Sequence, residues 1–213
     1  MTRPPNPDLV RRIREIVADL VALKGADKAT IREVARKAGV TTTTIHYYFG
    51  DKAKLLEAAK LSAIGALDTH VAASIDPDAR PVRQLAELSR GFMEWSVAHP
   101  HEFELVFEKL PPFVELTQEL TATYYATYFR AVEIFRRGMA AGELRAEDPD
   151  VAVTAAFCWL YGVVNLFVNK RLPPQYWSDA SPLFDWLLAQ YIASVSAPKK
   201  ARSASAANAR KPL

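Results

Sequence analysis

Apolar residues recur at helical spacing along most of the chain, and no run shows the strict alternation of a strand. Asn6-Pro7 pairs a capping residue with proline at the first helical position, and Gly25 supplies a stop, so a first helix is expected up to Lys24. Its stripe is Leu9, Ile13, Ile16, Val17, Leu20 and Leu23, with Arg11, Arg12 and Arg14 on or near the opposite side. Further on, Asp51 caps a long stripe through Leu55, Leu56, Ala59, Ala63, Leu67, Val71 and Ile75, which Asp76-Pro77 ends. Helical patterns follow at 82–98, 100–109 and, as one long helix, 113–141. The two closing helices, opened by Asp148-Pro149 and spelled SPLFDWLLAQYIASV, are apolar on most faces. Such helices need cover on two sides, one of which a second copy of the chain can provide.

Residues 30–52, TIREVARKAGVTTTTIHYYFGDK, are different in kind. Thr30 and Glu33 have capping-box spacing, and Ile31, Val34, Ala35 and Ala38 form a short apolar stripe. Gly39 can take the positive φ that ends a helix, and Thr41 can cap a second one running through Ile45 to about Tyr48. Small Ala35, the turn at Gly39 and apolar Ile45 suit two helices that cross closely at a steep angle, the helix-turn-helix arrangement.

Charge sharpens this reading. The net charge is +3, but residues 1–60 hold 12 basic against 7 acidic side chains, residues 61–198 hold 10 against 17, and residues 199–213 hold 5 against none. A basic front suits a polyanion and an acidic body is repelled by it. The single cysteine, Cys158, excludes an internal disulfide and fits a reducing cytoplasm, where a small buried thiol is expected. The start of the chain has no apolar signal-like core and no uninterrupted apolar run has the length of a bilayer crossing, so a soluble chain without membrane partners is expected.

Residues 30–52 strongly resemble the tetracycline-repressor (TetR) family of transcription regulators, a likeness covering roughly residues 9–57. Its pattern appears here as Ala38-Gly39-Val40, the polar residues 41–44 with Ile45, the cluster His46-Tyr47-Tyr48-Phe49, and Lys52 before Leu55. His46 stands where the family more often has Tyr. Trp159-Leu160-Tyr161-Gly162 looks like a W-H-G element of some members, with Tyr161 in place of His. The resemblance implies an all-α chain, an operator-binding dimer and a small-molecule effector in the larger domain.

Residue chemistry assigns roles within that frame. Thr41, Thr42, Thr43 and Thr44 are short and hydroxylated and can bond either phosphates or base edges, their methyls touching thymine. Tyr47 can reach a base or a phosphate; Tyr48 and Lys52 favour phosphate, the lysine because it sits at a helix N-terminus. Thr30, at another helix start, can present its hydroxyl or amide to the DNA backbone, and His46 completes the face. In the larger domain Phe92, Trp95, Phe103, Phe107, Tyr124, Tyr125, Tyr128, Trp159 and Asn165 combine apolar area with a few polar handles, the make-up of a small-molecule site. His99, His101 and Glu104 lack a further well-spaced ligand and read as junction chemistry rather than a metal site. No nucleophile elbow, phosphate-binding glycine loop or metal-ligand helix motif is present, so neither catalysis nor a cofactor is expected.

The sequence therefore predicts an all-α protein with a helix-turn-helix domain at 1–57, a helical ligand-binding and dimerisation domain at 58–197 and a disordered basic tail at 198–213. The expected function is a cytoplasmic, homodimeric, ligand-responsive regulator of transcription, most simply a repressor on a palindromic operator in double-stranded DNA. The alternative is a ligand-binding or scaffold dimer whose helix-turn-helix is vestigial.

Overall fold

The structure, a computed structural model, describes residues 6–107 and 118–198. The expected basic tail and the start of the expected helix at 113–141 lie largely outside the described residues. Ten α-helices account for almost all of what is described, with one 3-10 turn at Pro174–Tyr176.

One long helix, two short ones and the start of a fourth build the first core. α1 (Pro7–Lys24) is capped by the Asn6 side chain, which accepts from the amides of Asp8 and Leu9. α2 (Ile31–Ala38) is capped by Thr30 and ends at Gly39 with φ 71°, the left-handed region that glycine adopts at little cost. α3 (Thr42–Phe49) is capped by Thr41, and α4 (Lys52–Ala73) by Asp51. Ile13, Val17, Leu20, Val34, Ala35, Ile45 and Leu55 close this core from all four helices. Leu23 departs from the expected stripe and is 78% exposed, because Ala18 and Val21 share the buried face and leave it beyond the edge.

α4 continues into a second core with α5 (Pro81–Ala98), α6 (Pro100–Phe107), α7 (Gln118–Tyr124), α8 (Ala126–Ala140), α9 (Pro149–Val168) and α10 (Ser181–Val195). The single helix expected at 113–141 is, over its described part, two helices, broken at Tyr125 with φ −111° and ψ 16°. The break falls in TATYYATY, a run of β-branched and aromatic residues that hold a helix weakly. Asp68 of α4 is fixed to α8, accepting from Arg130 Nη2 with both carboxylate oxygens, at 3.1 and 3.0 Å, and from Thr127 at 2.9 Å. Buried Gln84 ties down the α4–α5 loop by donating to the carbonyls of Asp76 and Pro77, while Arg137 donates to its oxygen at 2.6 Å. One isolated antiparallel bridge, Leu144 to Ser196, joins the α8–α9 connection to the end of α10; the described residues form no named strand.

The two cores are not divided cleanly in sequence. α6 falls within the larger domain expected at 58–197 and gives Phe103 to the second core, yet its Leu105 is buried in the first core, where α6 packs along α1. α9 also differs from expectation: by length and composition it is apolar enough to cross a membrane, because Asp150 is its only charge. Its buried side, Ala152, Val153, Leu160 and Val164, is part of the second core, while Val151, Phe157 and Leu166 are exposed. Cys158 is exposed in the single chain rather than buried, because it lies on that outer side. Trp186 on α10 is likewise 61% exposed.

Candidate functional site

The polar face of α3 is organised by its own capping. Thr41 accepts from the Thr44 amide at 3.2 Å and shares a hydroxyl contact with Thr44 at 3.0 Å, so both are committed to holding the helix start. Thr42 and Thr43 are exposed, and their hydroxyls bond to no described residue. Tyr47 is 59% exposed and edge-on to Tyr48, which is half-buried against the first core. Ile45 and Phe49 point inward and anchor the helix. The face therefore presents two open hydroxyls and one phenol on a rigid base.

The remaining residues of this face have structural ties as well. His46 Nδ1 donates to the Gly50 carbonyl, which places the proton on Nδ1, closes the turn into α4 and leaves Nε2 as the outward nitrogen. Lys52 is half-buried and Nζ donates to the Asp27 carbonyl at 2.7 Å, clipping the start of α4 to the α1–α2 loop. Thr30 bonds both the amide and the carboxylate of Glu33, and Lys24 pairs with the same carboxylate. Lys24 first, then the Thr30 hydroxyl, hold the Glu33 carboxyl below its ordinary range. Sequence reasoning did not single out Arg32, Arg36 and Lys37 of α2 or Lys54 at the start of α4, which are exposed and add to the positive charge of this part of the chain. Their signal was the charge count alone.

A cavity of about 530 Å³ lies in the second core between α4, α5, α6, α7, α8, α9 and α10. Of the nine residues expected there, Phe92, Phe107, Tyr124, Tyr125 and Tyr128 line it. Trp95, Phe103, Trp159 and Asn165 do not. Trp95 is buried beside the His99 ring, and Phe103 is fully buried behind Phe92 and Phe107. Trp159 stacks on Tyr191 at 5.1 Å, and Asn165 donates to the Tyr161 hydroxyl at 3.3 Å. The wall instead includes Lys60 and Tyr191, which sequence reasoning missed. Lys60 sits at the i−4 position to Ile64 on an otherwise apolar face, which was the available signal.

The polar groups of the wall are few. Tyr128 donates its hydroxyl to Asp150 at 2.9 Å, and Thr127 donates to Asp68. The Tyr191 hydroxyl is buried without a hydrogen-bond partner, and burial pushes its pKa well up, so it is a neutral donor at physiological pH. Burial, with a smaller effect from Glu57, also raises that of Tyr124. His101 pairs with Asp19, and among the described residues no group of three or more His, Cys, Asp or Glu is placed to hold a metal.

Comparison with known proteins places both halves. Residues 18–59 match the family model described as bacterial regulatory proteins, tetR family, and residues 85–191 match the tetracyclin repressor-like C-terminal domain. Among solved structures, a tetR family transcription regulator from Shewanella sp. PV-4 is 21% identical, with TM-score 0.72, over 89% of this chain and 99% of that one. A TetR family transcription regulator from Marinobacter aquaeolei VT8 is 15% identical, with TM-score 0.74, over 89% and 96%. A protein of unknown function from Rhodococcus sp. RHA1 is 19% identical, with TM-score 0.72, over 92% and 100%. At these identities the likeness concerns the fold. No curated protein matches the chain.

Proposed function

The chain belongs to the TetR family of non-enzymatic, DNA-binding transcription regulators, and from that premise we propose that it is a cytoplasmic repressor that binds a palindromic operator as a homodimer and is released by a small apolar or aromatic effector. The observation that carries this reading is the course of α4. The helix starts at the Lys52 clip beside the exposed face of α3 and reaches the cavity wall at Lys60, Ile64 and Leu67. One rigid element thus touches both sites, so an occupant of the cavity can bias the position of α3.

Thr42, Thr43 and Tyr47 read bases or contact phosphates from the exposed face of α3, with Thr30, His46, Tyr48 and Lys52 supporting or flanking them. Thr41 and Thr44 act chiefly through the helix start. The exposed apolar residues of α9 and α10, including Phe157, Leu166 and Trp186, support a two-fold helical interface, which also covers Cys158. An interface of this kind spaces two copies of α3 for successive major grooves, and an effector that prefers another spacing lowers operator affinity by that differential binding.

Selection of genomic DNA fragments by the purified full chain, followed by sequencing and light scattering of the protein alone, tests the reading. A repeated inverted half-site and a dimeric mass are the expected results. Indifference to sequence at moderate salt, or a monomer at operator-binding concentrations, refutes it.

A further inference from the structure

Two hydroxyls of the cavity wall converge on one residue. Tyr128 of α8 donates to the Asp150 carboxylate at 2.9 Å, and Thr154 of α9 donates to the Asp150 carbonyl at 2.7 Å. A hydroxyl has one proton to give, so each of these is spent inside the protein and what remains for a ligand is lone pairs. Thr127 and Ser89, also on the wall, are committed in the same way, to Asp68 of α4 and to the Leu85 carbonyl, each at 2.9 Å. All of these hydroxyls accept and none of them donates. The pair at Asp150 also marks the rim of the cavity, because Asp150 and Thr154 are exposed, whereas Leu85, Phe92 and Phe135 of the same wall are buried. The cavity is thus apolar at its floor and hydrogen-bond-accepting at its rim.

We propose that the effector is an uncharged alcohol or phenol, its apolar body on the floor of the cavity and its hydroxyl donating to the Tyr128 and Thr154 oxygens. This rests on the reading of the cavity as the effector site and specifies what occupies it. The cavity, about 530 Å³, has the size of ordinary small-molecule sites, and its apolar floor contributes affinity for any body of suitable shape. Discrimination between head groups falls to the rim. A carboxylate brings only acceptors, which meet the lone pairs of Tyr128 and Thr154 with the Asp150 carboxylate beside them. A cation finds no counter-ion on the wall, since the described lining residues include no acidic side chain, and it loses hydration on entering. Lys60 and Thr123, which also line the cavity, already hold interactions of their own.

A wall hydroxyl that keeps its proton bonds donors and acceptors alike and so does not distinguish an alcohol from an ether. Only the committed hydroxyls do, because their lone pairs are matched by a donor and left facing an acceptor when the ligand has none. The arrangement also bears on how binding reaches the DNA-facing half. Thr127 is the neighbour of Tyr128 and fastens this wall to Asp68 of α4, so a head group seated at the rim lies beside the tie between α8 and α4.

Isothermal titration of the full chain near neutral pH with two matched pairs, 1-naphthol against 1-methoxynaphthalene and 1-decanol against 1-methoxynonane, tests this. Within each pair the apolar body and the oxygen are kept and only the donor proton is lost. The hydroxyl compound of at least one pair binds about fivefold or more tighter than its ether, and the pair that shows it identifies an aromatic or an aliphatic body. Tyr128→Phe combined with Thr154→Val removes both acceptor oxygens and brings that pair to equal affinity, while Thr154→Ser alone keeps the preference. Should the double variant not fold, Thr154→Val alone, at an exposed position, shows a reduced preference. No preference for the hydroxyl compounds in the unaltered protein, or a preference undiminished in the variants that lose these oxygens, overturns the inference while leaving the cavity as an effector site. Failure of all four probes to bind overturns both.

Discussion

His101 of α6 lies with Nδ1 2.8 Å from Oδ1 of Asp19 on α1, and four residues later Leu105 of the same helix is buried in the first core. The next two residues, Val106 and Phe107, line the cavity. One turn of α6 thus fastens the cavity wall to the helix that braces α2 and α3. The two fastenings differ in strength. Both partners of this hydrogen bond are about half exposed, so Asp19→Asn costs at most about 1 kcal/mol. Leu105 is 2% exposed, so Leu105→Ala costs about 2–5 kcal/mol through lost transfer and a residual void. Urea unfolding of the two variants checks the order, and a larger loss for Asp19→Asn contradicts it.

Glu33 gives the three-helix unit a pH dependence of known sign. Its carboxyl is held below the ordinary value of 4.5 by Lys24 first and by the Thr30 hydroxyl second. A lowered folded-state pKa contributes stability that is complete above the unfolded value and is lost as pH falls through the folded one. Glu33→Gln is therefore less stable than the parent near neutral pH, and the difference shrinks in acid. Melting temperatures of the pair measured across that range test this; a difference that widens in acid reverses the sign.

Much of the first half was legible because its helix boundaries are set by local chemistry. Asn6, Thr30, Thr41 and Asp51 each accept from amides one turn on, and Gly39 takes the left-handed conformation, so the boundaries follow from adjacent residues. What escaped depends on distant neighbours. Leu105 looks like any helical leucine until α1 is placed beside it, and Leu23 looks like a core residue until Val21 takes its place. The cavity was half legible for the same reason. Phe92 and Phe103 are equally aromatic, but only the packing of α5, α6 and α9 decides that one faces the void and the other lies behind it.

Tyr191 provides a test in which removing a polar atom does no harm. Its hydroxyl is buried and unbonded, so Tyr191→Phe removes an uncompensated desolvation cost and leaves stability near neutral pH unchanged or raised by about 1 kcal/mol. Burial raises its pKa above the ordinary 10.0, so the parent's stability is untouched by this ionisation below that value and falls as pH rises beyond it. Tyr191→Phe loses less over the same alkaline range. Denaturant titrations near neutral and above pH 10 check both statements. A variant clearly weaker at neutral pH shows that the hydroxyl has a stabilising partner.

Lys52 and Thr43 separate holding DNA from reading it. Lys52 already donates to the Asp27 carbonyl, and its half-buried ammonium sits at the start of α4, where free amides add to its pull on a phosphate. If Lys52 holds a phosphate as proposed, Lys52→Ala removes that contact together with the Asp27 clip, weakens binding to every sequence by a similar factor and lowers the salt slope by about one counterion. Thr43 is exposed, with a hydroxyl that bonds to no described residue, and it does not support the fold. Thr43→Ala leaves stability within about 0.5 kcal/mol and shifts affinity by about 1–3 kcal/mol at one operator position. Fluorescence anisotropy with the selected operator, single-base variants of it and unrelated duplex, each at several salt concentrations, distinguishes the two. If Lys52→Ala changes the ranking of operator variants, the lysine reads sequence. If Thr43→Ala weakens all duplexes equally, its hydroxyl holds a phosphate and the base contact belongs to Thr42 or Tyr47.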